Sequence, residues 1–303
     1  MNSFNFSNEV KQARKNGSPV VALESTIISH GLPRPKNLEI AKEIENTVRG
    51  IGAVPATIAM LNGVVHVGLE EAELIEIATS DAVTKASVRD LAILAQQKRH
   101  AATTVAATSH IAQEAGISIF ATGGLGGVHR GARDTWDESA DLYTLARTDI
   151  TVVCAGVKSI LDVAATLERI ESLSIGLVGY RTLKFPGFYL RESGFNLEYQ
   201  AASPKDLAEI IRARKKLGTE NAALLVANPI EREVPRDIHD RVLASGLALA
   251  TEQGISGKYV TPFLLDYFHH NSDGESLRAN IEIILSNAAL AAEIAVALIK
   301  LED

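Results

Sequence analysis

A single cysteine, Cys154, stands in a chain of 303 residues. One thiol can neither close an internal disulfide nor build a multi-thiolate zinc site. Positive charge is also in short supply: 30 Lys+Arg against 37 Asp+Glu leave a formal charge of −7. Phosphate neutralisation needs a clustered Lys/Arg surface, so a nucleic-acid partner is not expected. Local basic runs such as Arg212-Ala213-Arg214-Lys215-Lys216 sit on a helical pattern and read as a solvated face. No apolar core segment occurs in residues 1–17, so they do not read as a secretory signal. The most apolar late stretch, 288–299, is interrupted by Glu293 and falls short of the roughly 20 residues a bilayer requires. The expectation is a soluble, cytoplasmic protein without a membrane partner. Linkers, composition shifts and fixed-period repeats are missing as well, which favours one domain over 1–303, with residues 1–18 as an N-terminal helical segment. Two nucleotide signatures are absent too. A GxGxxG begun at Gly124 would need its third glycine at His129, and no GxxxxGK[ST] occurs.

What the chain does have is core material: 46% hydrophobic and 22% charged residues leave no compositional case for disorder. Short β-type runs alternate with helical patterns along its length. Residues 20–23, 117–121, 150–155, 175–178 and 222–227 read as strands. The runs 56–61 and 64–67 flank Asn62-Gly63, a strong hairpin signal. Apolar residues recur at helical spacing in 38–48, 72–78, 88–98, 160–170, 207–217, 238–251 and 277–299. Ser203-Pro204 has the form of a helix start. The alternation predicts an α/β fold: a largely parallel, mixed central sheet covered by helices on both faces, with a small antiparallel hairpin. Ligands of such sheets bind at the carboxyl ends of strands, which directs attention to the residues just after each apolar run.

Glu24 follows the run 20–23. A carboxyl on a partly apolar floor can keep its proton and serve as a general acid, although a loop-capping role fits the same position. Lys158 follows 150–157 and precedes a helical run. A lysine held out of water loses proton affinity and can form a Schiff base with a sugar aldehyde; the plain alternative is a lysine snorkelling to the surface. Lys85 has a similar setting. The segment from Ala121 to Gly131 carries Gly123, Gly124, Gly126, Gly127 and Gly131, and its first four glycines, directly after a strand, would let backbone pass close to a ligand. Asp137, Glu138 and Asp141 lie around Ser139 and Ala140. They suit either a hard divalent cation or a helix start with acidic residues in its first turn. His269-His270 beside Asp266 reads as loop or interface rather than a metal cluster.

Taken together, these segments resemble the indigoidine-synthase-A-like family of pseudouridine-5′-phosphate glycosidases. The matching pieces are residues 21–31, Thr57-Ile58-Ala59, 122–131, 137–142 and 153–158. Gly179-Tyr180, 185–189, Asn228-Pro229-Ile230 and Ala279-Asn280-Ile281 extend the match over nearly the whole chain. The resemblance implies hydrolysis of the carbon–carbon glycosidic bond of pseudouridine 5′-phosphate to uracil and ribose 5-phosphate, a reversible reaction. It also implies Mn²⁺, one divalent ion per subunit, a Schiff-base lysine and a homotrimer. Carried over by position, Lys158 is the nucleophile, Glu24 the proton donor and Asp137 the metal residue. Lys85, Val105, Thr122, His129, Ser139, Ala140, Asp141 and Asn280 are substrate contacts. Two other activities remain consistent with the residues alone: a class I aldolase-like phosphosugar lyase using Lys158, and a phosphosugar- or nucleotide-binding regulator without turnover.

Overall fold

Along the central strands, successive side chains point to opposite sides, and both sides are apolar. Ala22, Phe120, Val152, Cys154 and Leu225 join one core with Ile111, Leu142, Leu145 and Ile170. Their neighbours Val21, Leu23, Ile119, Ala121, Val153, Leu224 and Val226 join a second core with Ile40, Ile44, Val48, Leu207, Ile284 and Ala288. A sheet buried on both faces must carry helices on both faces, and this one does. Burial of each such Val, Leu or Ile contributes about 1.5–3 kcal/mol.

The computed structural model describes residues 4–255 and 259–302. In chain order the strands are β1 (Asn5–Phe6), β2 (Val20–Glu24), β3 (Val54–Leu61), β4 (Val64–Val67), β5 (Thr84–Ala86), β6 (Ala101–Thr103), β7 (Ile119–Ala121), β8 (Thr151–Cys154), β9 (Gly176–Tyr180), β10 (Gln200–Ala201) and β11 (Leu224–Ala227). They lie in the order β1-β4-β3-β2-β7-β8-β11-β9-β10, with β6 joined to β3 and β5. Pairing is parallel except for β3–β4 and β3–β6. The β3–β4 hairpin turns through Asn62 and Gly63, both at positive φ (50° and 77°), as an Asn-Gly hairpin turn demands.

A branch in the sheet went unanticipated. β2 accompanies β3 as far as Ile58, after which β6 takes over the pairing at Ala59 and Met60. Ser25 and Thr103 stitch this fork. Both hydroxyls donate to the Ile58 carbonyl (2.6 and 2.7 Å), and the Thr103 amide donates to Ser25 Oγ at 2.9 Å. The fork brings β5, and with it Lys85, alongside the end of β2.

Several local expectations shift by a few residues. The helix expected over 160–170 runs Val163–Ser172, because the Asp162 carboxylate accepts from the Ala165 amide (3.0 Å) and caps it there. Ser203 and Pro204 do start a helix, Pro204–Leu217, closed by a capping box with Asp206. Of the N-terminal segment, Asn8–Asn16 is helical, while Asn5–Phe6 forms β1 against β4; residues 1–3 lie outside the described range. His269 and His270 lie on a helix, Val260–Asn271, rather than in a loop. The pattern at 277–299 belongs to a helix of 28 residues, Glu275–Glu302. That helix is long and apolar enough to cross a membrane, but its apolar stripe (Ile283, Ile284, Ala288, Ala291, Ala292, Ala295) is buried against the sheet.

Candidate active site

The carboxyl ends of β2, β7 and β8 stand side by side and open onto a cavity of about 770 Å³. Glu24 ends β2, Gly123 and Gly124 follow β7, and Lys158 follows β8; all four line that cavity. Lys85 reaches it from β5 across the fork, and Asn280 from the long helix Glu275–Glu302.

The Thr122 hydroxyl donates a short hydrogen bond to Glu24 Oε1. Burial raises the Glu24 pKa above the ordinary 4.5, against Lys158, the Thr122 hydroxyl and Lys85, while the charge of Asp141 pushes the same way as burial. Lys85 reaches solvent through the cavity mouth, yet protein crowds it. That desolvation, with the Lys158 charge, lowers its pKa against the pull of Asp141 and Glu24. Acid and ammonium groups therefore sit within electrostatic reach of one another at the end of a predominantly apolar sheet.

Lys158 is fixed by its backbone: its amide donates to the Leu125 carbonyl (3.2 Å), and its carbonyl accepts from Leu161 (2.9 Å). Gly156, at φ 81°, meets the segment after β9: a Cβ there would collide with the Pro186 carbonyl oxygen. The room that glycine provides is thus taken by the chain itself, not by a ligand. The same holds for much of the glycine-rich segment. A Cβ at Gly124 would lie 2.6 Å from the Phe188 ring, and one at Gly126 would strike Ser139. Only Gly123 and Gly124 of this segment face the cavity.

The acidic segment separates into different partners. Asp141 is buried; its Oδ1 accepts from the Ala106 amide (3.0 Å) and its Oδ2 from Gly126 (2.9 Å), tying the glycine-rich loop to the helix Val105–Glu114. Ser139 caps the short helix Ala140–Leu145 through the Asp141 amide (3.2 Å). Glu138 pairs with Arg169 at 3.0 Å. Asp137 Oδ2 lies 3.6 Å from His129 Nδ1. Burial lowers the His129 pKa, with Asp137 opposing and Lys158 adding to the effect. Among the described residues no three His, Cys, Asp or Glu side chains converge as a metal cluster.

Of the sequence candidates, then, Glu24, Lys85, Lys158 and Asn280 share the cavity wall. Thr122 touches it through Glu24, and Val105 follows Thr104, which does line it. Asp137, His129, Ser139, Ala140 and Asp141 stand beside the cavity rather than on its wall. Cys154 is buried in β8 with its thiol pushed up to about 12 by burial, which removes it as a nucleophile. Asn287 escaped sequence reading. Its amide donates to the carbonyls of Thr122 (2.7 Å) and Gly123 (3.3 Å). The signal was an amide within the apolar stripe of a helix, where a polar side chain is costly unless bonded.

The family model described as "Indigoidine synthase A like protein" matches residues 9–297. The chain belongs to the indigoidine synthase A-like family. Within it, pseudouridine-5′-phosphate glycosidase of Salinispora tropica is 59% identical over 291 residues, covering 95% of this chain and 90% of that protein. The protein of the same name from Geobacillus kaustophilus is 49% identical, covering 97% and 99%. Solved structures share the architecture. The prealnumycin C-glycosynthase AlnA, in complex with ribulose 5-phosphate, superimposes with a TM-score of 0.91 at 35% identity, over 99% of this chain and 98% of its own. An indigoidine synthase A-like protein of Thermotoga maritima gives 0.88 at 35% identity, over 98% and 96%. The indigoidine synthase A-like fold thus takes in both halves of the cavity, from Glu24 to Asn280.

Proposed function

We propose that this protein is a pseudouridine-5′-phosphate glycosidase, adding water across the carbon–carbon glycosidic bond to release uracil and ribose 5-phosphate. The carrying observation is a desolvated, protonatable carboxyl at the end of β2 and a lysine after β8 on the wall of one cavity, in a chain 59% identical to an enzyme of that name.

A carbon leaving group gains nothing from protonation of a lone pair, so the sugar must be activated from its own side. Glu24, whose proton affinity burial raises, gives its proton to the ring oxygen as the C1′–oxygen bond breaks, and the Lys158 amine bonds to C1′. Proton delivery to uracil C5 then lets the C1′–C5 bond break, its electrons rejoining the base while the lysine nitrogen forms C=N with C1′. Water adds to this imine and releases the aldehyde of ribose 5-phosphate, returning the free amine. Positioned acid catalysis supplies about 10²–10⁴-fold, and the covalent step divides the remainder. Lys85 faces the same cavity as a second cation suited to the phosphate.

A divalent ion, manganese by family likeness, belongs to the same reading. Asp137 offers one partly open carboxylate with His129 beside it, which fits an ion that keeps most of its water. Asp137 would hold such an ion, and its charge would offset that of the substrate phosphate. The reading also takes the protein as cytoplasmic and as a homotrimer, the latter checked by sedimentation.

The decisive experiment incubates the protein with pseudouridine 5′-phosphate and Mn²⁺ and follows uracil. Uracil release that falls on chelation and returns with Mn²⁺ is the expected result; no uracil overturns the proposal.

A further inference from the structure

Asn287 is fully buried in the long helix, with Ala288 and Ala291 in the same core. Its Nδ2 lies against two carbonyl oxygens, those of Thr122 and Gly123. Carbonyls only accept, so the orientation of the amide is forced by its surroundings. Its Oδ1 in turn accepts from Asn228 Nδ2 at 2.9 Å, and Asn228 Nδ2 also reaches Ser286 Oγ at 3.0 Å. Asn228 is held by its own backbone, whose amide donates to the Cys154 carbonyl at 2.8 Å. A chain of bonds therefore runs from the end of β8, through Asn228 and Asn287, to the first residues after β7.

Thr122 is the point of delivery. Its backbone is held on one side by its amide bond to Val153 (3.0 Å) and on the other by Asn287 on its carbonyl. With the backbone fixed, the hydroxyl donates to Glu24. The two amides act from behind the wall: neither Asn287 nor Asn228 lines the cavity, whereas Gly123 and Glu24 do.

We propose that Asn287 is a positioning residue: by holding the Thr122 carbonyl from within the long helix, it fixes the hydroxyl that orients the Glu24 carboxyl for proton delivery. This deepens the glycosidase reading and rests on it. The role explains why a fully buried amide stands among Ile283, Ile284, Ala288 and Ala291, and why a second amide, Asn228, is recruited to orient it.

The test is a double-mutant cycle on uracil release with Asn287→Ala, Thr122→Val and the pair. Asn287→Ala is expected to lower kcat about tenfold with KM changed less than about threefold, and to cost almost nothing further in the Thr122→Val background, as for residues coupled through one network. Both single variants should also move the alkaline limb of the pH profile to higher pH. The lost hydroxyl bond favours the Glu24 carboxylate, and Lys158, Asp141 and Lys85, the charged groups facing it, are untouched. A merely structural role would move neither that limb nor the coupling.

Additive losses, an unmoved limb, or a change confined to KM overturn the inference. If Asn287→Ala does not fold, Asn228→Ala removes only the orienting donor and should shift the limb in the same direction by less; no shift there overturns it equally. A wild type that releases no uracil overturns the glycosidase reading and this inference with it. An active wild type with additive losses overturns this inference alone.

Discussion

Two parts of the molecule present carboxylates near the same cavity, and they are built in opposite ways. Asp137, Glu138 and Asp141 lie within five residues of one another, yet each has its own partner: His129, Arg169 and the amides of Ala106 and Gly126. Glu24 and Lys158 are far apart in sequence, yet the strand order β2-β7-β8 places them on one cavity wall, on either side of the segment that follows β7. Nearness along the chain gave Glu138 and Asp141 partners within the protein; nearness across the sheet gathered Glu24 and Lys158 on one cavity wall. A dense local cluster is mostly occupied with holding its own turns, whereas the ends of parallel strands leave side chains pointing into open space.

Substitutions on the two sides can break or sharpen that contrast. The largest effect is expected from Lys158→Ala, which removes the amine proposed to form the covalent bond. Uracil release should drop below detection while the melting temperature stays near that of wild type, and mass spectrometry after borohydride reduction with substrate should show an adduct on wild type only. Turnover in the variant would move Lys158 to the scaffold side.

Glu24→Gln comes next. It keeps the acceptor for Thr122 but has no acidic proton, so turnover should fall by at least about 100-fold with binding retained, the low end of general-acid catalysis. The wild-type profile carries a sign as well. Burial raises the Glu24 pKa, so the acid form survives above the ordinary range and activity declines as pH rises through that raised value. That limb should vanish in Glu24→Gln.

Asp141→Asn tests the boundary between the two classes. One end of the amide must face an N–H donor, leaving a buried bond unmade at a cost of about 1–3 kcal/mol, read as a lower unfolding midpoint. The Asp141 charge also raises the Glu24 pKa, so its removal should shift the alkaline limb to lower pH, the reverse of the Thr122→Val shift. A limb that stays in place would mean the carboxylate is scaffold alone.

The smallest effect belongs to Glu138→Ala. Its pair with Arg169 is partly exposed on both sides, and such pairs contribute about 0–1 kcal/mol. Stability should change little and uracil release not at all; a measurable loss of kcat would blur the contrast.

Much of this was legible in advance, for identifiable reasons. The runs at 20–23 and 150–155 are long enough to show their apolar character, so Glu24 and Lys158 stood out as residues following strands. Asn62-Gly63 announced its hairpin because both positions need positive φ. By contrast, β5 and β6 have three residues each, too few for a period to register. The setting of Lys85 was suspected, but its route to the cavity depends on the fork and was not visible. Glycines raised a different difficulty: a sequence reports that backbone will be approached closely but not by what. At Gly124, Gly126 and Gly156 the approaching group is the protein itself. Asn287 was missed because its amide donates to backbone carbonyls, which every residue has.

The fork at β3 has one more consequence. Where β2 ends and β6 begins, lateral hydrogen bonding changes hands, so the β5–β6 arm is joined to the main sheet through β3 and the Ser25–Thr103 stitches. The cavity lies across that seam, with Glu24 and Thr26 on one bank and Thr84, Lys85 and Thr104 on the other. A ligand seated there would touch both banks, acting as a keystone between the main sheet and an arm whose own ladder reaches it through β3 alone.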